Sequence, residues 1–357
     1  VNERGILVHI VVWNEVTPAF DKVIESILDA CQNFPNSSVE ITDNGSCPST
    51  AQTLREFVSR FPAVKLYRNE SNLGFCGAHN QAVSRFLCST LDHILVLNPD
   101  TRLTPEAIDH LVEALHSTPG AELATPKILR CDESLAALAP PIIDAAGMEF
   151  FSSFRHFDRG GGTIDRGQYN GRELVFGGTG ACLLVSRQGV ERLLLPRLSS
   201  SDGVLLALYP QLAEGLETRA QLFDEAFFAY REDADLAMRA ATLGIRCVYE
   251  PAALVFHVRR VTPERRAELP SELNRLSVRN RFLLQMNHWN WSWPLRVWVH
   301  GLIIRNVLVV LGVILREHSS FSGLWEAVRL APRAFEQRSA LRRKTQNTAL
   351  ARLHERT

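Results

Sequence analysis

No two cysteines in this 357-residue chain are spaced as CxxC, and its seven, Cys31, Cys47, Cys76, Cys88, Cys131, Cys182 and Cys247, are dispersed and odd in number. Thiols scattered mostly through apolar segments argue against a disulfide framework or a zinc site and fit a reducing compartment. Net charge is missing as well. The 39 Lys and Arg balance 39 Asp and Glu, which removes any global electrostatic case for a nucleic-acid partner. The Gly-Lys-Ser/Thr ending of a Walker loop is absent, and so is a GxGxxG fingerprint. No internal repeat or low-complexity tract is visible. No signal-peptide pattern precedes the first apolar run, so the cytoplasmic side is the expected location. What remains is a globular composition, 46% hydrophobic and 22% charged, with length enough for one large or two ordinary domains.

The first half alternates between two periodicities. Residues 6–13, ILVHIVVW, form a β-branched run suited to a strand covered on both faces, and Asn14 and Glu15 end it. A helical pattern over 18–30 follows, then a strand at 39–42 that breaks into Asp43-Asn44-Gly45-Ser46, a strong turn signal. A helix over 49–61, a strand over 64–68, a buried strand over 93–97, a helix over 105–116 and a strand over 123–129 continue the series. Alternation of this kind predicts an α/β fold with a parallel sheet, in which ligands collect beyond the carboxyl ends of the strands. Asp43 stands at one such end, and Asp100, in Asn98-Pro99-Asp100, at another. Asp100 offers hard oxygen to a divalent cation bound to a diphosphate, although Asn-Pro alone reads equally as a turn.

Between them lies NLGFCGAHNQ, with Gly74 and Gly77 ahead of a helix. Glycines there can let backbone amides approach a phosphate, and Asn72, Asn80 and Gln81 add amide groups. Periodicity weakens over 131–172, and 160–171 reads as a mobile loop. Strand character returns over 174–186 around Gly177-Gly178-Thr179-Gly180, where close backbone approach is expected.

Residues 223–257, FDEAFFAYREDADLAMRAATLGIRCVYEPAALVFH, concentrate the chemistry. Glu232, Asp233 and Asp235 precede Leu236, Ala240 and Leu243, which share a helix face, and Gly244 stops that helix. Asp233 in the first turn is kept ionised by unpaired amides and the helix dipole, as a general base requires, although acidic residues there also simply complement the helix end. Two short apolar runs, 245–249 and 252–256, flank Pro251, and His257 follows at a strand exit.

Taken together, VVWNE, TDNGS, NLGFCGAHN, VLNPD with GGTGACLL, and FDEAFFAYREDADLAMR ending in His257 resemble family 2 glycosyltransferases, closest to the rhamnosyltransferase-like branch. The resemblance covers about 6–257. It implies a GT-A fold, Rossmann-like, with a mixed, mostly parallel sheet flanked by helices and a C-terminal helical extension. Residues 1–260 would be the nucleotide-sugar-binding and catalytic domain, and 261–357 a helical, membrane-associating region. By position, Asn14, Glu15, Asp43, Asn72, Gly74, Phe75, Asn80, Asn98, Asp100 and Thr179 would line the donor site, with Asp43 on the base. Asp100 and His257 would hold Mn²⁺ or Mg²⁺, and Asp233 with Glu232 would form the catalytic acidic pair. Partners implied are a dTDP- or UDP-sugar donor, dTDP-L-rhamnose first, and a glycan or polyprenyl-linked acceptor. The reaction would be inverting and serve cell-surface polysaccharide synthesis. A degenerate nucleotide-sugar-binding scaffold is the alternative, favoured by the amide in Asn98-Pro99-Asp100 where a second carboxylate is usual.

The segment 199–221 is longer than the family connection and lies where acceptor contacts are expected. The stretch 287–316, NHWNWSWPLRVWVHGLIIRNVLVVLGVILR, carries four tryptophans and a strongly apolar end. Arg296, His300 and Arg305 interrupt it as a spanning helix. At 100° per residue Arg296 and Arg305 fall on opposite sides, against a one-face amphipathic helix, so a buried packing helix and a membrane-surface contact both stay open. From 329 to 356 eight Lys or Arg face two Glu, a basic end that suits a solvated helix face or anionic lipid.

Overall fold

The computed structural model describes residues 5–259 and 270–354. Its first strand, β1 (Gly5–Val12), shows why the sheet is covered on both faces. Ile6, Val8, Ile10 and Val12 point into one buried cluster, whereas Leu7 belongs to the other, following the two-residue period of a strand. Helix α1 (Phe20–Ala30) covers the first face with Phe20, Val23, Ile24 and Ile27. Next come β2 (Asn36–Asn44), α2 (Pro48–Ser59), β3 (Val64–Asn69) and α3 (Gly74–Leu87). They are followed by β4 (His93–Leu97), β5 (Thr101–Leu103), α4 (Ala107–Ser117) and β6 (Ala121–Arg130).

β1 lies between β4 and β2 and is parallel to both, and β3 extends the sheet in parallel beyond β2. The ends of β1, β2 and β4 therefore open on one edge, with the chain leaving β1 in opposite directions on either side. That reversal makes the crevice in which α/β sheets bind ligands.

The weakly periodic middle is more ordered than its sequence suggests. β7 (Ile143–Ala145) pairs with β6, and β8 (Met148–Phe151) with β9 (Arg155–Asp158) forms a separate hairpin. Strands of three or four residues are too short to print a period. The loop beyond them is tied down by the Lys127 ammonium, which reaches Asp165 (3.0 Å) and Asn170 (2.6 Å). The strand character read over 174–186 resolves into two strands, β10 (Glu173–Val175) and β11 (Cys182–Ser186), separated by the glycines. β11 runs antiparallel between β4 and β6, so the sheet is mixed.

After α5 (Arg187–Leu193) and α6 (Gly203–Leu208) comes α7 (Glu232–Thr242), stopped by Gly244 at φ 68°. The two apolar runs beyond it are one strand, β12 (Arg246–His257), whose register against β6 shifts between Glu250 and Leu254. Pro251 lies inside that irregularity, where its missing N–H costs no ladder bond.

Helices α8 (Ser271–His288), α9 (Arg305–Leu315) and α10 (Phe321–His354) complete the described chain, with a π-helical stretch, Val297–Ile304, leading into α9. Leu276, Leu283, Leu284, Leu330 and Ala334 enter the same buried cluster as Phe86, Phe223 and Phe227, so α8 and α10 pack as part of the body. The wider π turns advance less per residue than an α-helix, so the angle between Arg296 and Arg305 worked out at α spacing does not apply. All seven cysteines are free, and five are buried.

Candidate active site

The strand ends deliver polar side chains to one cleft. Asp43 is buried at the end of β2, where its carboxylate accepts from the Ser46 amide (2.9 Å) and from Arg68 (2.8 Å). Asn14, at φ 57°, staples the neighbouring turns: its amide N–H donates to Ser46 Oγ (3.0 Å) and its Oδ1 accepts from Cys47 (2.9 Å). Glu15 follows it on the exposed rim. Asn72 Oδ1 accepts from the Gly74 amide (2.8 Å) and from Asn44 (2.9 Å), closing the turn into α3. Gly74 sits at φ 72°, and a Cβ there would stand 2.4 Å from the Phe228 carbonyl, so the position requires glycine. Phe75 packs edge-on against Phe223 at 5.4 Å and tilts over His79 at 4.2 Å.

Asn80 differs from the expectation that it lines the donor site. It is fully buried, its Nδ2 donates to the Phe223 carbonyl (2.8 Å) and Glu225 (3.0 Å), and its Oδ1 accepts from the amides of Leu222 (2.9 Å) and Phe223 (3.0 Å). Those bonds occupy the amide within the fold, so Asn80 clamps α3 to the chain ahead of α7. Thr179 Oγ1 accepts from the Ala181 amide (3.4 Å) inside the glycine turn. The close approach read from those glycines is to α7 at Gly177, where a Cβ would lie 2.4 Å from Ala237 Cβ, and to β6 at Gly178, where it would lie 2.7 Å from Thr125 Cβ.

Glu232 and Asp233 open α7 beside that turn. The Gly180 amide donates to Asp233 Oδ2 (3.3 Å) and the Ala234 amide to Oδ1 (2.7 Å). Glu232 is buried, and its Oε2 has no hydrogen-bond partner among the described residues. Burial first, and then neighbouring charge, raises both carboxyls above their usual range: Glu232 feels Asp233, and Asp233 feels Asp158 on β9. Asp235 is opposite in character. Burial would raise it, but Arg239, His288 and Asn287 hold it well below the ordinary carboxylate range. It is a structural anchor joining α7 to the end of α8.

His257, at the end of β12, bridges two acids. Its Nδ1 lies 2.8 Å from Asp144 Oδ2, and its Nε2 lies 3.3 Å from Asp100 Oδ1 and 3.4 Å from Asn98 Nδ2. Burial works to lower its pKa, but Asp100 and Asp144 outweigh it and raise it to about 9. Asp144 is further held by Arg130 (3.3 Å) and Arg259 (3.4 Å), and Arg259 reaches Asp158 at 2.8 Å. Sequence reasoning missed Asp144 and Asp158. A signal was present for the first, a lone carboxylate inside the apolar run Ile142-Ile143-Asp144-Ala145-Ala146.

This arrangement fits a divalent cation held jointly with a ligand. A carboxylate that fixes Nδ1 turns Nε2 toward Asp100 and Asn98, the orientation such a histidine needs as a metal ligand. Among the described residues no group of three or more His, Cys, Asp or Glu is placed to hold a metal alone. Asp100, His257 and the Asn98 amide would supply part of a shell, leaving positions for phosphate oxygens and water.

The insertion 199–221 packs inward. Arg333 of α10 reaches Asp202 (2.9 Å), Gln211 donates to the Asn72 carbonyl (3.0 Å), and Tyr209 stacks on Phe228 at 4.6 Å.

A model of the family described as Glycosyl transferase family 2 matches residues 7–193. Two curated proteins of Mycobacterium tuberculosis, from strains CDC 1551 / Oshkosh and ATCC 25618 / H37Rv, are each 28% identical over 232 residues. Both are named N-acetylglucosaminyl-diphospho-decaprenol L-rhamnosyltransferase. The aligned region takes in 62% of this chain and 66% of each of theirs, a little under two thirds of the relatives' length. Among solved structures, the crystal structure of GalNAc-T7 with UDP, GalNAc and Mn2+ is similar at a TM-score of 0.57 and 13% identity, over 81% of this chain and 49% of that one. That likeness is one of fold, the GT-A arrangement of a mixed, mostly parallel sheet flanked by helices.

Proposed function

This chain belongs to glycosyl transferase family 2, and on that premise we propose that it moves a sugar from a nucleoside diphosphate donor to a hydroxyl of a polyprenyl-linked glycan. The donor of first choice is dTDP-L-rhamnose, a UDP-sugar being the alternative, and the product would feed a cell-surface polysaccharide. The observation that carries the reading is the Asp233 carboxylate, raised by burial and fixed by the Gly180 amide at the mouth of the cleft that Asp43 and Asp100 also border.

In this reading the attack is a single inverting displacement. A sugar hydroxyl is a weak nucleophile, and Asp233 takes its proton as the new bond forms at the anomeric carbon. Burial and the neighbouring Asp233 raise Glu232 as well, so the pair resists carrying two negative charges side by side. Asp43 holds the nucleobase, and Asn14, Glu15, Asn72, Gly74, Phe75, Asn98 and Thr179 shape the donor's surroundings. Mn²⁺ or Mg²⁺, held by Asp100 and His257, would neutralise charge developing on the leaving diphosphate.

Calorimetry with dTDP-rhamnose and UDP-sugars tests the donor site, each titrated with Mn²⁺, with Mg²⁺ and with chelator. Metal-dependent binding of one donor, weakened at least tenfold by chelator, is expected. Folded protein that binds none of them would turn the reading toward a degenerate scaffold.

The same reading places the protein on the inner face of a membrane. Residues Val297–Leu315 have a mean hydropathy of 2.1, enough by length and composition to cross a bilayer, yet only 11% of the stretch is buried. Leu295, Ile303, Leu308, Leu315, Trp325 and Val328 are all exposed on this stretch and the helix that follows it, and clustered exposed apolar side chains mark an interaction surface. One side of the stretch is fastened down. Gly301 lies against the Ser152 backbone, and Asn306 Oδ1 accepts from Arg281 (3.0 Å) and Gln285 (3.1 Å). A helix fixed this way lies on a bilayer rather than spanning it.

Co-sedimentation with phosphatidylcholine vesicles containing phosphatidylglycerol is therefore expected. Leu308→Glu with Leu311→Glu should weaken it tenfold or more, since each buried leucine is worth about 1.5–3 kcal/mol. Undiminished sedimentation of that double variant would exclude the face.

A further inference from the structure

Arginines from four separate segments meet beside the β8–β9 hairpin, with Arg281 at their centre. Arg281 is buried on α8, and its guanidinium donates only to neutral oxygens: Phe154 (3.2 Å), Ser153 (3.3 Å), Gly301 (3.0 Å) and Asn306 (3.0 Å). Those contacts put it against the residue before Arg155 on β9 and the residue after Arg305 on α9. One turn earlier on α8, the Ser277 carbonyl accepts from Arg231 (3.4 Å), the residue directly ahead of Glu232 and Asp233.

Among the described residues Arg155, Arg281 and Arg305 form no ion pair, and buried Arg305 Nε and His156 Nδ1 have no hydrogen-bond partner. Burial first, then Arg231, Arg305 and Arg155, pulls the Arg281 guanidinium down to about 9. Burial and Arg305 do the same in direction to Arg155. Arg155, Arg281 and Arg305, like charges with no paired carboxylate among the described residues, repel one another and leave a concentrated positive potential, which an anion would relieve.

The position says which anion. β9 ends at Asp158, which acts electrostatically on Asp233, and begins at Arg155. Three residue steps of strand separate them, roughly 10 Å at the usual rise. On its other side the cluster borders the exposed apolar face through Ile303, Ile304, Val307 and Leu308, which flank Arg305.

We propose that Arg155, Arg281 and Arg305, with His156, bind the diphosphate of a lipid-anchored acceptor. The tail then lies along α9, and the sugar reaches from the diphosphate along β9 to Asp233. Arg305 and Arg155 contact the anion, while Arg281, fastened to backbone carbonyls, supplies fixed charge from behind. The identity of the acceptor rests on the sugar-transfer reading, but the anion site itself rests on the cluster.

The test measures binding of the full chain to phosphatidylcholine vesicles doped with a polyprenyl diphosphate. Controls are vesicles brought to the same charge with phosphatidylglycerol, and inorganic pyrophosphate in solution. Tighter binding to the diphosphate vesicles by tenfold or more is expected, and Arg155→Gln and Arg305→Gln should each reduce that preference about tenfold. Both variants should bind the nucleotide sugar as the parent does, which shows that they fold. Equal binding to both vesicle types would reduce the cluster to a general membrane contact and overturn the proposal. Tight binding of free pyrophosphate with no gain from the lipid would overturn the lipid-anchored part. A diphosphate preference in a protein that binds no nucleotide sugar would keep this site and remove the transferase reading.

Discussion

Replacing Asp233 by Asn lowers kcat by about 10²–10⁴-fold, the usual contribution of a positioned general base, and leaves the donor's dissociation constant unchanged. The amide keeps the shape of the carboxylate and still accepts a hydrogen bond from Gly180 through its oxygen, so the change isolates proton removal from binding. The parent's pH profile follows from the same environment. With the Asp233 carboxyl raised to about 6, the base is protonated and idle at lower pH. The rate therefore climbs as pH rises through that value and levels off above it. A stopped assay of product at saturating donor, run on parent and variant from pH 5 to 8, checks both points. Turnover by Asp233→Asn within a few-fold of the parent would remove the base assignment, and a parent profile flat through pH 6 would argue against the ionisation.

The second large effect is expected in the segment that leads into the acidic pair. The three residues Phe228, Tyr230 and Arg231, just before the acidic pair, hold φ of 63°, 70° and 71°, a region that costs non-glycine residues of order 1–3 kcal/mol each. Two neighbouring side chains of α8 enforce that path. Arg279, with no exposed surface, donates to the carbonyls of Ala226 (2.8 Å) and Phe227 (2.9 Å), to Tyr209 and to Glu326 (3.2 Å). Asn280 Nδ2 is shared among the carbonyls of Phe227 (2.9 Å), Ala229 (2.8 Å) and Tyr230 (2.8 Å). Arg279→Ala would strand several of these groups in the interior and should destabilise the protein by about 3–5 kcal/mol, read as a shift in the midpoint of urea unfolding. Arg279→Lys should recover little, because one ammonium cannot reproduce the fork. Asn280→Ala is the milder probe. It should lower kcat more than it changes donor KM, because it frees the segment that aims Asp233. An unchanged unfolding midpoint in Arg279→Ala, or an unchanged kcat in Asn280→Ala, would show that the segment keeps its path unaided.

The acidic residues of α7 show why one motif contains different fates. Glu232, Asp233 and Asp235 look alike in sequence, three carboxylates in a first helical turn. In the fold, Asp235 turns inward to Arg239 and His288, whereas Asp233 faces the Gly180 amide and the acids of the cleft. A helix rotates successive side chains by about 100°, and only the packing of α7 decides which direction is interior.

The parallel run of β1 to β4, the positions of Asp43 and Asp100 at strand ends, and the stop at Gly244 were all determined by the sequence alone. They follow from local rules: runs of β-branched residues, turn residues after them, and a glycine where φ must be positive. The tertiary structure decided the rest. It brought Asp144 and Asp158 to His257 and Asp233, turned Asn80 into a clamp, and gathered arginines from four segments at the edge of an apolar face. It also replaced α-helical spacing with a π-helical stretch before α9, which no count at 100° per residue anticipates. The reason is the same throughout. Those relations join residues tens to more than a hundred positions apart, and the free energy that selects them comes from burial and charge in three dimensions, which a pattern read along the chain does not contain.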